Sequence, residues 1–260
     1  MTWRVHGDPM MWVAGLRALY LQALHPRVIR GFVQNSDYRD SAWSRLSRTA
    51  DYVGWTTFGT VEQAHRAAAR IRRIHARLSA VDPDTGARYR IDDPDLLAWV
   101  HCCEIDSYLH VIRRAGVRLS RRDADAYVRE QRWRAWLIGA DLADIPTDAT
   151  SLSTYFTAIR PALAGTREAR DAARFVLLPP MSWRLGLTPA RPGWAGVAGL
   201  AFATMPGWAR RMYGLRGPAE LAHPAVTAAL IAMRTGTLAV PRRLRESPHA
   251  RAARNRISGR

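Results

Sequence analysis

Two histidines have the type and spacing of buried metal ligands. His75 lies between Ile71 and Leu78 at helical spacing, and His101 has apolar residues four positions away on both sides. Residues three or four apart share a helix face, so both imidazoles are expected to point inward. A buried imidazole needs a partner for its ring nitrogens. That partner is either an ordinary carbonyl or carboxylate, or the iron of a haem or another metal ion.

A group of polar residues precedes these histidines. Arg45 and Thr49 are four residues apart and share one face of a short helix, with Arg48 beside Thr49. An inward-facing guanidinium can donate two hydrogen bonds to a carboxylate such as a haem propionate. The same pattern also fits an ordinary surface helix, because the chain is rich in arginine throughout.

A di-iron site is an alternative. Carboxylate-bridged di-iron bundles use two Glu-x-x-His pairs and two further glutamates on facing helices. The chain offers a set of this composition: Glu62 with His65, Glu220 with His223, and Glu104 and Glu130. However, His65 lies at the polar start of its helix, and Pro224 disfavours helical geometry at His223. These two positions argue against the di-iron site.

The motifs of several other enzyme classes are missing from the sequence. It contains no glycine-rich dinucleotide fingerprint, Walker loop, nucleophile elbow or H-E-x-x-H motif. The only cysteines, Cys102 and Cys103, are adjacent in an expected helix. We therefore expect neither a zinc cluster nor a disulfide framework.

The composition indicates a folded and strongly basic chain. Its 260 residues are 48% hydrophobic, enough for one large domain, and all 39 basic residues are arginine, for a formal charge of +17. Residues 242–260 hold seven arginines and one glutamate. They predict a flexible basic tail able to contact an anionic membrane. A non-enzymatic module for anionic membrane or nucleic acid is thus a third alternative, although no nucleic-acid recognition motif accompanies the tail.

The elements expected to position these residues are helices. We predict helices over 61–78 and 94–116, a break at Pro26, and a short helix over 41–49 followed by a connector over 54–60. No alternation of period two is long enough to build a sheet. The sequence therefore predicts an all-α protein with a single-domain helical bundle.

The bundle is expected to span residues 1–241, before the tail at 242–260. The start of the chain does not resemble a secretory signal. The most apolar later segment, 194–205, is shorter than the roughly 20 residues that a membrane span needs. We therefore expect a cytoplasmic protein, with peripheral membrane contact through the tail as an option.

An ordered set of motifs resembles the DUF2236 family, which contains the MpaB-type oxygenases and the catalytic domain of the rubber oxygenases, or latex-clearing proteins. The resemblance spans roughly residues 3 to 240. The similar elements, in chain order, are Leu24-His25-Pro26-x-Val28, Ser36-Asp37, Arg45-Leu46-Ser47-Arg48-Thr49, Phe58-Gly59-Thr60, Ile74-His75-Ala76-Arg77, Gly86-x-x-Tyr89, Asp93-Pro94-x-Leu96-Leu97-x-Trp99-Val100-His101, Tyr127-x-x-Glu130, Pro146-Thr147, Tyr155-Phe156, Pro179-Pro180 and Arg211-x-Tyr213-Gly214-Leu215.

The resemblance implies an all-helical fold and a function. Characterised relatives hold a b-type haem through a histidine and use dioxygen on hydrophobic, isoprenoid-like substrates. The family pattern of arginine, basic residue and threonine maps onto Arg45, Arg48 and Thr49. The proximal histidine maps best onto His75. The resemblance thus implies a haem-dependent oxidoreductase in which His75 binds the iron.

Two other histidines could bind the iron. His101 and His25 are alternatives to His75 as the iron ligand.

Arg48 departs from the family pattern. Rubber oxygenases look to have lysine where this chain has Arg48. Arginine can donate hydrogen bonds to a superoxide-like oxygen, but it has no lone pair and cannot act as a base. Oxidative double-bond cleavage is therefore in doubt, and another haem-dependent oxidation is open.

Overall fold

Helices form most of the described chain. The computed structural model describes residues 1–36, 42–181, 188–214 and 223–259. The helices in these ranges are α1 Thr2–His6, α2 Met11–Gln22, α3 Pro26–Gln34, α4 Ala42–Phe58, α5 Val61–His75, α6 Pro94–Arg114, α7 Arg121–Ile138, α8 Ala149–Ile159, α9 Arg167–Leu177, α10 Ala190–Ala203, α11 Gly207–Met212, α12 His223–Ala239, α13 Arg242–Arg245 and α14 Pro248–Ile257. A 3₁₀ turn at Arg160–Ala162 joins α8 to α9. The all-α, single-domain prediction is confirmed.

One small hairpin interrupts the helices. Strands β1 (Ser79–Val81) and β2 (Arg88–Arg90) pair antiparallel, with Ala80 opposite Tyr89. Both of these residues are buried and pack against Leu96 at the start of α6. Three-residue strands are too short to produce a recognisable alternation, so the sequence did not predict them.

The core is built around α2 and α6, which make the most extensive contact between any two elements. The indole of Trp99 on α6 is fully buried, and its Nε1 donates a hydrogen bond to the carbonyl of Gln22 on α2 at 3.1 Å. Helices α1, α7, α10 and α12 pack around this pair. Helix α6 is thus the internal element against which the other parts of the site are positioned.

The predicted break at Pro26 is confirmed. Pro26 is the first residue of α3, and His25 is its extended N-cap residue. Helix α6 likewise begins at Pro94, with the Asp93 carboxylate accepting from the amide of Asp95. These ends follow from local chemistry, because proline fixes φ and lacks the amide proton that a first-turn residue does not need.

The predicted connector over 54–60 is wrong. Helix α4 continues from Ala42 to Phe58 without a break. A Cβ atom at Gly54 would lie 2.3 Å from the ring of His249 on α14. Gly54 therefore lets a helix from a distant part of the sequence pack closely against α4. Glycine commonly marks a break in a helix, but here it is present because a larger side chain would not fit.

The basic tail also differs from the flexible segment expected. It forms α13 and α14, and α14 packs on α4, where Ala253 is fully buried and His249 Nε2 lies 3.1 Å from Asp51 Oδ1. Glu246 neutralises part of the positive charge in this segment. Its carboxylate pairs with Arg242 at 3.0 Å and with Arg254 at 2.7 Å, and these bonds lower its pKa. The contact with anionic membranes stays a prediction.

The apolar segment over 194–205 lies mostly in α10 and packs into the bundle. Ala198 and Ala201 are fully buried, and Trp194 Nε1 donates to the carbonyl of Val176 at 2.9 Å. Across the described ranges, no helix combines the length and the apolar composition that crossing a bilayer requires.

Gly165→Ala should destabilise the fold by about 1–3 kcal/mol. Gly165 precedes α9 and lies against the end of α11, where a Cβ atom would be 1.7 Å from the carbonyl oxygen of Met212. The added methyl group would meet a backbone carbonyl that cannot rotate away, so α11 must move. Gly196→Ala in α10 is the control, because nothing lies within 4 Å of its Cβ position. It should gain about 0.5–1 kcal/mol. Denaturant unfolding measures both, and equal stability of the two variants would contradict this packing.

Candidate active site

Helices α4 and α5 bring the predicted site residues to one end of a helical hairpin. The two helices pack against each other and are joined only by Gly59 and Thr60. Thr60 caps α5 by accepting from the amide of Gln63 at 3.2 Å. Arg45 and His75 are nearly the same number of residues from this turn, which places each about 20 Å from it. Arg45 and His75 therefore both lie at the ends of their helices that are remote from the connecting turn.

His75 ends the inward face of α5. Ala64 and Ala68 on the same face are buried and pack against Leu137 of α7. The Nδ1 atom of His75 is buried and has no hydrogen-bond partner in the described part of the chain. Burial lowers the pKa of His75, while Asp92 acts in the opposite direction. His75 therefore offers a neutral imidazole with an unpartnered nitrogen, the form that binds a metal.

Arg45 is half-buried, whereas Arg48 and Thr49 are exposed. The Arg45 guanidinium lies 4.8 Å from the centre of the Phe32 ring of α3. The Thr49 hydroxyl donates to the carbonyl of Arg45 at 3.1 Å. Residues 37–41 immediately before α4 lie outside the described ranges. Solvent thus reaches Arg48 and Thr49 freely and Arg45 in part.

Tyr52 continues the same face of α4 toward the interior. It lies one turn beyond Thr49, and its hydroxyl is buried with no hydrogen-bond partner in the described residues. Burial raises the pKa of Tyr52 to about 12, so the phenol stays protonated. The face of α4 that begins at exposed Thr49 thus leads directly to buried polar groups.

A buried polar cluster fills the space among α1, α4, α6 and α7. Its members are His6, Tyr52, His101, Glu104, Tyr108, Tyr127, Gln131 and Arg134. Arg134 is 4% exposed and lies at its centre. One of its amino groups lies 3.2 Å from the Glu104 carboxylate, and the other donates to Gln131 Oε1 at 3.1 Å. Glu104 balances the buried charge of Arg134.

His6 is a structural member of the buried polar cluster. Its Nε2 lies 2.9 Å from the Tyr127 hydroxyl, and its Nδ1 lies 3.1 Å from the Thr57 hydroxyl. Burial, and then the charge of Arg134, hold the pKa of His6 well below its usual range. With both nitrogens engaged, His6 has none left for a ligand.

His101 is enclosed within the same cluster. It is 2% exposed, and its Nε2 has no hydrogen-bond partner in the described chain. Burial, followed by the charge of Arg134, lowers the pKa of His101 to about 3. The nearby guanidinium also disfavours a metal cation at this position. His101 is therefore a weaker candidate ligand than His75.

His25 lies near the His75 end of the molecule. Its buried Nδ1 also has no partner within the described ranges, and its ring is 6.4 Å from the Trp99 ring. Burial and Arg27 lower its pKa, whereas Asp93 acts in the opposite direction. His25 and His75 therefore both lie close to the segment that begins α6.

The described members of the alternative di-iron set do not form a site. Within the described residues, no group of three or more histidine, cysteine or carboxylate side chains is placed to hold a metal. Glu62 pairs with Arg66 at 3.1 Å, and the His65 ring packs on Trp133. Glu220 lies outside the described ranges. The glutamate and histidine of the first pair thus have other contacts.

The sequence reasoning missed most of the buried polar cluster. The signal was present, because Glu104 lies three residues after His101 and four before Tyr108 on one face of α6. On α7, Tyr127 and Arg134 are seven residues, or about two turns, apart and therefore also share one face. Polar residues on the inward faces of two neighbouring helices indicate a shared network.

Comparisons with known proteins agree with the resemblance seen in the sequence. No curated protein and no solved structure gives a significant match. A family model described as "ER-bound oxygenase mpaB/B'/Rubber oxygenase, catalytic domain" matches residues 3–240, which is most of the chain. The chain therefore belongs to the family of mpaB/B' and rubber oxygenase catalytic domains.

Proposed function

We propose that the protein is a haem b-dependent oxidoreductase that uses dioxygen to oxidise a hydrophobic, isoprenoid- or lipid-like substrate. Membership of an oxygenase family supports the reaction class. The observation that supports the cofactor is the buried Nδ1 of His75, which has no hydrogen-bond partner in the part of the chain that the structure describes and lies, like Arg45 and Thr49, at the end of its helix away from the α4–α5 turn.

The residues at this end fit a haem group in their chemistry. A neutral imidazole is a common ligand to haem iron, and His75 would hold the iron through one. Arg45 and Arg48 can each donate two parallel hydrogen bonds to a propionate carboxylate. Bound haem supplies the one-electron and dioxygen chemistry, while the protein orients the reactants.

Arg48 can act as a hydrogen-bond donor in the proposed site but not as a general base. Its guanidinium carries only hydrogen-bond donors, so it can stabilise negative charge on an oxygen atom of the substrate or of dioxygen. It cannot remove a proton from a substrate. Any base must therefore come from another residue or from solvent.

Aromatic side chains beside the charged residues offer an apolar surface for the substrate. Trp43 on α4 is partly exposed, and its ring lies 4.8 Å from that of Trp194 on α10 in an edge-to-face contact. Trp43 Nε1 donates to the carbonyl of Pro180 at 3.0 Å, which orients the ring. Such a surface suits a substrate with few polar groups.

Absorption spectroscopy tests the proposal. Protein expressed with adequate haem precursor should show a Soret band that shifts on reduction, with one iron and one porphyrin per chain. His75→Ala should lose the band. His75→Gly should regain it when free imidazole is added, since the small ligand fills the vacated position. His65→Ala, on the same helix, is the matched control and should keep the band.

Each contrary result has a distinct meaning. A folded protein that stays colourless after haem addition would overturn the cofactor. Two irons without porphyrin would favour the di-iron alternative, and salt-sensitive liposome binding by a cofactor-free protein would favour the basic module. A Soret band that survives in His75→Ala and is lost in His25→Ala would reassign the ligand.

A further inference from the structure

A cavity lies among α6, α8 and α11, away from the proposed haem site. Its volume is about 340 Å³. Its wall is apolar on one side, formed by Leu109, Leu152, Phe156 and Trp208. The guanidinium groups of Arg113, Arg114 and Arg160 line it as well. The cavity thus combines an apolar floor with a cationic rim.

The position of the cavity separates it from the buried polar cluster. His110, which lines the cavity, follows His101 by nine residues on α6. At 3.6 residues per turn, this spacing puts the two histidines on opposite faces of α6 and about 14 Å apart along its axis. His75 lies beyond the other end of α6. The cavity is therefore separate from the proposed haem site.

The cavity has more positive charge than its carboxylates balance. Asp106 is the single acidic residue among its described lining residues, and Arg17, itself 1% exposed, already pairs with it at 2.8 Å. Arg113, Arg114 and Arg160 form no ion pair within the described chain, although the Arg114 guanidinium donates hydrogen bonds to the Thr227 hydroxyl at 3.1 Å and to the His223 carbonyl at 2.9 Å. Burial, and then the charges of Arg17 and Arg210, lower the pKa of Arg114. A bound anion would relieve this repulsion.

An unused hydrogen-bonding atom lies in the cavity wall. His110 Nε2 is buried and has no partner in the described residues. Burial, followed by the charge of Arg17, lowers the pKa of His110 to about 3, so His110 is neutral near pH 7. Arg160 is held at the wall by the Trp208 ring, 5.3 Å from its guanidinium carbon. Buried polar atoms normally have partners, so His110 Nε2 points to a ligand.

We infer that this cavity binds an amphipathic anion, with a hydrocarbon chain on the apolar floor and a carboxylate or phosphate head at Arg113 and Arg160, where Arg114 adds positive charge. Arginine forks match both kinds of head group. The volume is near the lower end for ligand sites, which fits the head and the first part of a chain. The inference does not depend on haem.

Isothermal titration calorimetry of the full chain tests the inference with four probes. They are decanoate, decyl phosphate, decanol and inorganic phosphate, all below the concentration at which the amphiphiles form micelles. We expect at least one of the two anionic amphiphiles to bind more than tenfold tighter than decanol and inorganic phosphate. The preference between decanoate and decyl phosphate identifies the head group.

Two variants locate the binding. Arg113→Gln with Arg160→Gln should weaken binding of the preferred amphiphile at least tenfold. Ser153→Trp should weaken it similarly by filling the cavity, since Ser153 is an exposed lining residue. The matched control is Arg122→Gln with Arg129→Gln, which removes the same charge from exposed positions on α7 outside the lining. The control should bind as the unaltered protein does.

Three results would overturn the inference. The first is that the anionic amphiphiles bind no tighter than decanol. The second is that the control double variant weakens binding as much as the cavity variant does, which would indicate general surface attraction. The third is that Ser153→Trp, with an unchanged circular dichroism spectrum and melting temperature, binds normally. Haem loading should be the same in all these variants, so failure here leaves the proposed oxidoreductase function standing.

Discussion

Arg134→Met should lower the free energy of unfolding by about 3–5 kcal/mol, because it leaves Glu104 as an unpaired charge in the interior. Arg134 is 4% exposed, and its guanidinium lies 3.2 Å from the Glu104 carboxylate. Burial raises the pKa of Glu104, while Arg134 opposes that rise. Denaturant unfolding with an unchanged m-value is the measurement.

Two controls separate the buried charge from lost packing. Arg134→Met combined with Glu104→Leu should recover most of the lost stability, because both charges are then absent. Arg66→Met breaks the exposed pair with Glu62 and should cost no more than about 0.5 kcal/mol. If the combined variant is as unstable as Arg134→Met alone, the loss comes from packing and the buried charge explains little of it.

Lowering the pH from 7 to 5 should destabilise the protein by about 4 kcal/mol through His101 and His110 together. Burial is the main reason that both have a native pKa of about 3, against about 6.5 when unfolded. Below pH 6.5 the unfolded chain therefore binds protons that the native protein does not. Stability falls as the pH drops, by about 2 kcal/mol per histidine at pH 5, and levels off below the native pKa.

Other titratable groups change the total loss of stability between pH 7 and 5, but they do not affect the comparison between the unaltered protein and a His101 variant. The lowered pKa values of His6, His25 and His75 act in the same direction, whereas the raised pKa of Glu104 acts in the opposite one. His101→Gln should reduce the loss between pH 7 and 5 by about 2 kcal/mol. Denaturant unfolding at a series of pH values measures this difference. An unchanged pH dependence in His101→Gln would mean that His101 binds a proton in the native protein.

Several helix ends were predictable because their causes are local. Pro26 begins α3, and the Ser120 hydroxyl and Asp123 carboxylate cap α7 reciprocally. Gly139 ends α7 in the left-handed conformation, with φ of +92°. In each case the residues that determine the end lie within a few positions of it.

Other elements were not predictable, because distant parts of the chain determine them. The stretch after Gly54 stays helical while α14 packs on it, nearly 200 residues further along the chain. The tail is ordered because Glu246 pairs with two of its arginines and Ala253 is buried against the bundle. Local spacing and charge carry no information about such contacts.

The sequence by itself determined the helical class, the family and the residue types of the proposed haem site, including His75, Arg45 and Thr49. Only the tertiary structure decided that Arg45 and His75 lie at the helix ends away from the α4–α5 turn, that His75 has a buried nitrogen with no partner among the described residues, and that Arg134 is buried against Glu104. The apolar spacing that indicates a helix involves residues three or four positions apart, so it can be recognised from the sequence alone. Burial, pKa and charge balance depend on neighbours from remote segments, and these exist only once the chain has folded.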